Sequence, residues 1–140
     1  MTKVWLLFTL FSLALAQGVM VESPAFRGGR FSCPKAPPLL QVRSLPAQSR
    51  SLALVLYLKG KSPKPVWMVY DLPATTGAVR EAGYIVIPYP GACRPGQYVL
   101  DMYALGVRRL PASSPSATKV RQALHRYMLG EGKLGGVYGR

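Results

Sequence analysis

The run Ser51-Leu52-Ala53-Leu54-Val55-Leu56-Tyr57-Leu58 constrains this chain more than any other segment. It is almost unbroken apolar sequence, and the basic stretch Lys59-Gly60-Lys61-Ser62-Pro63-Lys64-Pro65 closes it. A short continuous run bounded by turn residues suits a buried strand better than a helix. Val66-Trp67-Met68-Val69-Tyr70 then reads as a second apolar strand, closed by Asp71-Leu72-Pro73, and Tyr84-Ile85-Val86-Ile87 as a third. Between these two, residues 74–82 read as a loop. Tyr89-Pro90-Gly91-Ala92-Cys93-Arg94-Pro95-Gly96 holds too much Pro and Gly for a ladder. Gln97 to Val107 reads as a fourth strand. Tyr98, Leu100, Met102 and Ala104 fall on one face of it, and Val99, Asp101, Tyr103 and Leu105 on the other. Asp101 is the only charge within the strand's alternating residues, so a buried position would demand a partner.

One helix is expected near the C-terminus. Ser114 can cap it and Pro115 suits its first position. Val120, Ala123, Leu124, Tyr127 and Met128 follow helical apolar spacing, with Lys119, Arg121, Gln122 and Arg126 on the other side. Gly130 is the expected stop. Lys133 to Arg140 reads as a short closing strand. Residues 17–50 are rich in Pro and Gly and show no period, so loops and one short strand near Phe31 are expected there. The sum is a mainly β domain with one C-terminal helix. The Pro and Gly content, 13 and 14 of 140 residues, argues against a helical bundle.

Residues 1–16 have the anatomy of a secretory signal peptide. Lys3 is the positive start, Val4 to Leu15 is mostly apolar, and Ala14-Leu15-Ala16 is a small-x-small cleavage pattern. The run is too short for a transmembrane helix. The expected organisation is therefore a leader over 1–16, an irregular segment over 17–32 and a folded domain over 33–140. The expected location is periplasmic or extracellular, with no transmembrane span after cleavage. Cys33 and Cys93 are the only cysteines. An oxidising compartment permits a disulfide between them, and two buried free thiols are the other reading.

The residue inventory speaks against an enzyme. The chain has one His and five acids. His125 lies at the edge of the helix's polar face, where a solvated role fits better than that of a general base. There is no Gly-x-Ser-x-Gly elbow, no paired carboxylates, no phosphate-cradling Gly-rich loop and no metal or cofactor motif. The net charge of +13 is scattered along the chain. That distribution implies general attraction to polyanions or lipid head groups rather than specific nucleic-acid recognition.

The order of these segments resembles the phosphatidylethanolamine-binding protein family, in its bacterial Raf-kinase-inhibitor-like branch. The resemblance starts at Cys33 with Ala36-Pro37-Pro38-Leu39 and Ser49-Arg50-Ser51-Leu52-Ala53-Leu54. It continues through Val66-Trp67-Met68-Val69-Tyr70-Asp71-Leu72-Pro73-Ala74 and Tyr89-Pro90-Gly91-Ala92-Cys93-Arg94-Pro95-Gly96. It ends with Tyr98-Val99-Leu100-Asp101-Met102-Tyr103-Ala104-Leu105 and Leu134 through Arg140. The resemblance implies an antiparallel β-sandwich-like fold and a small pocket for phosphate-like anions or phospholipid head groups. The polar pocket residues depart from the family pattern. Its Asp-Pro-Asp loop is replaced over Tyr57 to Lys61, its His before the Trp is Val66, and its His-Arg is replaced at Gly96-Gln97. The expected function is noncatalytic binding through a remodelled pocket of Tyr57, Val66, Trp67, Tyr89, Gly91, Cys93, Arg94 and Gln97. Arg94, Lys59, Gln97 or Tyr57 would hold the anion. The alternative is a structural module, or one that binds a protein or an envelope polyanion without a pocket.

Overall fold

The computed structural model describes residues 18–79, 83–111 and 116–139. The expected signal peptide, and the expected cap Ser114 with Pro115, lie outside the described residues. Among these residues, ten strands and one helix follow in order: β1 Met20–Glu22, β2 Phe26–Arg27, β3 Arg30–Phe31, β4 Gln41–Ser44, β5 Ser51–Leu58, β6 Lys64–Pro73, β7 Gly77–Ala78, β8 Tyr84–Ile87, β9 Gly96–Leu105, α1 Ala117–Tyr127 and β10 Met128–Tyr138. Seven strands form one sheet in the order β2-β3-β10-β9-β5-β6-β8, and β1-β4-β7 form a small second sheet. All pairings are antiparallel except β3 with β10.

The unbroken apolar run occupies β5, between β6 and β9. Its central place explains its composition, because both faces of that strand are covered. Leu52, Leu54 and Leu56 join Trp67, Val69, Leu100 and Met102 in a core that also takes Leu40 and Val42 from the small-sheet side. Ala53, Val55 and Tyr57 point the opposite way, into a second core with Tyr103, Leu105 and the helix residues Val120 and Leu124. The structure is thus a three-layer stack of small sheet, large sheet and helix. The two faces expected of β9 are found as read from the alternation: Tyr98, Leu100, Met102 and Ala104 in the first core, Tyr103 and Leu105 in the second.

β6 is longer than the sequence pattern implied. It runs past Asp71 to Pro73 by inserting an extra residue against β5, and Asp71 takes a left-handed φ of 59° there. The Asp71 carboxylate accepts the Leu110 amide at 2.8 Å, which offsets part of the strain. A second irregularity sets Leu56 opposite Trp67 and Tyr57 opposite Pro65, so Val66 is the extra residue.

Three expectations are corrected. The helix is capped by Ser116, whose hydroxyl accepts the Lys119 amide at 3.3 Å. It ends at Tyr127, and Gly130 lies inside β10 rather than stopping a helix. Pairing with β9 along the length of β10 outweighs the weak strand propensity of its glycines. Two of those glycines are needed for clearance: a Cβ at Gly132 would overlap the Val19 carbonyl, and one at Gly136 the Arg30 carbonyl. Finally, the stretch before residue 50, expected as loops with one short strand near Phe31, carries that strand as β3 and three more, β1, β2 and β4, and the 74–82 loop carries β7. None of these is long enough to show a period. No helix among the described residues is long and apolar enough to cross a membrane.

Candidate functional site

The C-terminal end of β5 and the N-terminal end of β9 meet at one end of the large sheet. The Lys59 amide donates to the Gln97 carbonyl at 2.9 Å, and Gln97 faces Val137 on its other side. Beyond this junction a cleft of about 520 Å³ opens between the Leu58–Gly60 and Pro95–Gln97 segments, with Val137 behind. Gly96 suits the close approach, because a Cβ there would come within 2.9 Å of Leu58 Cδ1. Lys59 and Gln97 are both exposed and supply the ammonium and the carboxamide of the cleft.

A tightly joined cluster lies on the small-sheet side. Cys33 and Cys93 form a disulfide with Cα atoms 6.3 Å apart. Tyr89 crosses to the Cys33 segment, its hydroxyl donating to the Pro34 carbonyl at 2.6 Å. The Tyr89 ring meets Trp67 edge-on at 5.2 Å between centroids. Burial pushes the Tyr89 phenol up to about 12, so it stays a neutral donor. Val66 packs against the same core. Trp67 is 2% exposed. Its indole N–H has no hydrogen-bond partner among the described residues. It borders an apolar cavity of about 290 Å³ lined by Pro37 to Leu40, Leu54, Leu72 and Val79.

The residues expected to share one pocket therefore divide among several places. Trp67, Tyr89, Cys93 and Val66 come together, as core rather than as an open polar wall. Gln97 stands at the cleft. Gly91 makes a turn at φ 73°, where its Cβ position would be 3.2 Å from the Lys35 carbonyl. Arg94 is exposed, and its carbonyl accepts the Tyr98 hydroxyl at 2.7 Å. Tyr57 is not in this group. Strand alternation turns it to the helix face, away from its neighbours Leu56 and Leu58, and the Arg121 guanidinium lies over its ring.

Sequence reading missed a polar cluster on that helix face. Asp101 accepts from Lys133 Nζ at 3.0 Å and from the Tyr103 hydroxyl at 3.1 Å. Burial, then the Asp101 charge, push the Tyr103 phenol far above its ordinary range. The hydrogen bond to Asp101 holds the Lys133 ammonium above its usual value. The signal was the lone acid of β9. Its partner is 32 residues away, and only the β9–β10 register sets it opposite. No group of three or more His, Cys, Asp or Glu side chains among the described residues could hold a metal.

The strand order, the covered β5 and the helix α1 define the phosphatidylethanolamine-binding protein fold. The chain is similar to YbcL of Escherichia coli, a member of the mammalian PEBP family: 20% identity, TM-score 0.70, spanning 87% of this chain and 98% of that one. It is also similar to CT736 of Chlamydia trachomatis, a phosphatidylethanolamine-binding protein homolog: 20% identity, TM-score 0.72, spanning 89% and 99%. No protein-family model and no curated protein matches the sequence.

Proposed function

We propose that the chain is an exported, noncatalytic binding protein whose anion site has been rebuilt at the cleft between Leu58–Gly60 and Pro95–Gln97. The observation that carries this reading is the Lys59–Gln97 junction. The resemblance assigns the family's acidic loop and its His-Arg pair to these two segments, and here they face each other across the cleft. A cation and a carboxamide in their place favour an anion over a cation. The ligand class is a small anion or a phospholipid head group. Arg94, two residues before Gly96, and the overall charge of +13 add long-range attraction. Export is supported by the leader-like residues 1–16 and is compatible with the disulfide. The noncatalytic reading is supported by the placement of His125 on the opposite face of the sheet, against Tyr103.

Calorimetric titration with phosphoethanolamine tests the reading. One saturable site, weakened in Lys59→Gln and in Gln97→Ala and only modestly salt-sensitive, is the expected result. Binding that vanishes with salt and prefers no ligand would instead identify a polyanion binder. A second reading, an interaction module, draws on Tyr84 and Ile85, which are 49% and 47% exposed on β8, the outer strand beside β6. A stable self-associated or partner-bound form that buries these two side chains, with no response to phosphoethanolamine, would favour it.

A further inference from the structure

The helix face of the large sheet holds a second concavity, of about 490 Å³, between α1 and the strands β5, β9 and β10. Its polar groups are unevenly matched. Asp101 is almost completely buried, its side chain 8% exposed. Both of its oxygens are engaged, one by Lys133 and one by the Tyr103 hydroxyl. Glu131 lies 3.7 Å from the same Lys133 ammonium. The two acids of the groove are therefore already served by one lysine and one phenol.

The remaining cations are not. Arg121, Lys59 and His125 also line the groove, and none has an acidic partner among the described residues. Arg121 is the most telling. Its guanidinium lies 5.4 Å over the Tyr57 ring, and its Nε is buried with no hydrogen-bond partner. A buried donor without an acceptor is costly, and the guanidinium that carries it lines the groove, where an arriving oxyanion would meet it. Between these charged groups, Pro63, Val99 and the rings of Tyr57 and Tyr103 supply apolar wall. They favour a ligand with an apolar body over a bare inorganic ion.

We propose that this groove binds a small oxyanion carried on a flat apolar body, of the aryl phosphate or aryl carboxylate class, with Arg121 as its anchor. The site is separate from the cleft at the strand ends. Lys59 borders both, but Gln97 lines only the cleft and Arg121 only the groove.

Calorimetry on the purified protein with phenyl phosphate, benzoate and inorganic phosphate, at low and at physiological salt, tests the assignment. Phenyl phosphate or benzoate should bind the groove saturably, more tightly than inorganic phosphate. Whichever of the two binds better identifies the oxyanion. Arg121→Gln should weaken that binding by about tenfold or more, while Lys119→Gln, an exposed cation of the same helix that lines neither site, should leave it unchanged. Chemical-shift mapping on the unsubstituted protein gives an answer that does not depend on how the variant folds. Saturable shifts at Tyr57, Tyr103, His125 and Lys133 support the site. Shifts centred on Gln97, diffuse shifts that fade with salt, no saturable binding, or full affinity in a folded Arg121→Gln protein would each overturn it.

Discussion

Replacing both bridge cysteines, as Cys33→Ser with Cys93→Ser, should destabilise the protein by a predictable amount. The bridge joins residues 60 apart in sequence. Closing a loop of that length in the unfolded chain removes entropy worth about 4 kcal/mol at 25 °C. Contacts around the bridge do not depend on the covalent bond. The Tyr89 hydroxyl still reaches the Pro34 carbonyl, and its ring still meets Trp67. The native state should therefore persist, and the loss should come mainly from a freer unfolded chain. Urea unfolding of the oxidised protein and of the double variant measures it directly. The expected loss is roughly 3–5 kcal/mol, with a midpoint roughly 10–20 °C lower on heating. The urea dependence should also steepen, because the unbridged chain exposes more surface. A loss below about 1 kcal/mol with an unchanged urea dependence would refute the reasoning. It would mean that the bridge does not restrict the unfolded ensemble.

Stability should also fall at high pH. Unfolded tyrosines ionise near pH 10, whereas Tyr89 holds its proton to about 12 and Tyr103 beyond that. Above pH 10 the unfolded state therefore binds fewer protons than the native one, and stability declines as pH rises. Lys133 acts in the same sense, because its bond to Asp101 is complete below its unfolded value of 10.5 and is lost above its raised native one. Urea midpoints measured from pH 8 to 12 should drop, and less steeply in Tyr103→Phe; a flat profile in the parent protein would contradict this. Asp101→Ala should cost about 1–3 kcal/mol by stranding the buried Tyr103 hydroxyl, whereas Asp101→Asn keeps an acceptor and should cost less; equal costs by urea titration would argue against the hydrogen bond. Gly132→Ala should cost about 2 kcal/mol or more, because its Cβ meets the Val19 carbonyl. Gly28→Ala, in open space at φ 57°, should cost only about 1 kcal/mol, so the reverse order of melting temperatures would be a failure of the clearance argument.

The long elements were legible in the sequence because their patterns are local. β5 announced itself by continuous apolar character, β9 by two clean faces, and α1 by helical spacing. Of the short strands only β3, at Phe31, was expected; β1, β2, β4 and β7 were not legible, since two to four residues carry no period and owe their pairing to tertiary neighbours. Gly130 misled because a helix stop and a residue in a paired strand look alike without the partner β9. At the site, the Trp67, Tyr89 and Cys93 grouping followed from the resemblance, and the disulfide joins its expected partners. Tyr57 went astray because assigning a loop by family pattern ignores which way a strand's final residues point. The Asp101–Lys133 pair was hidden for a different reason: only the β9–β10 register brings the two together.

The central claim is an anion site at the Lys59–Gln97 cleft, and a nuclear magnetic resonance shift titration with phosphoethanolamine tests it most directly. Run at two salt concentrations, it should give saturable, modestly salt-sensitive shifts confined to Lys59, Gly60, Gly96, Gln97 and their immediate neighbours. Shifts spread over the surface lysines that fade with salt, or none at all, would contradict the claim and leave a fold retained without its anion site.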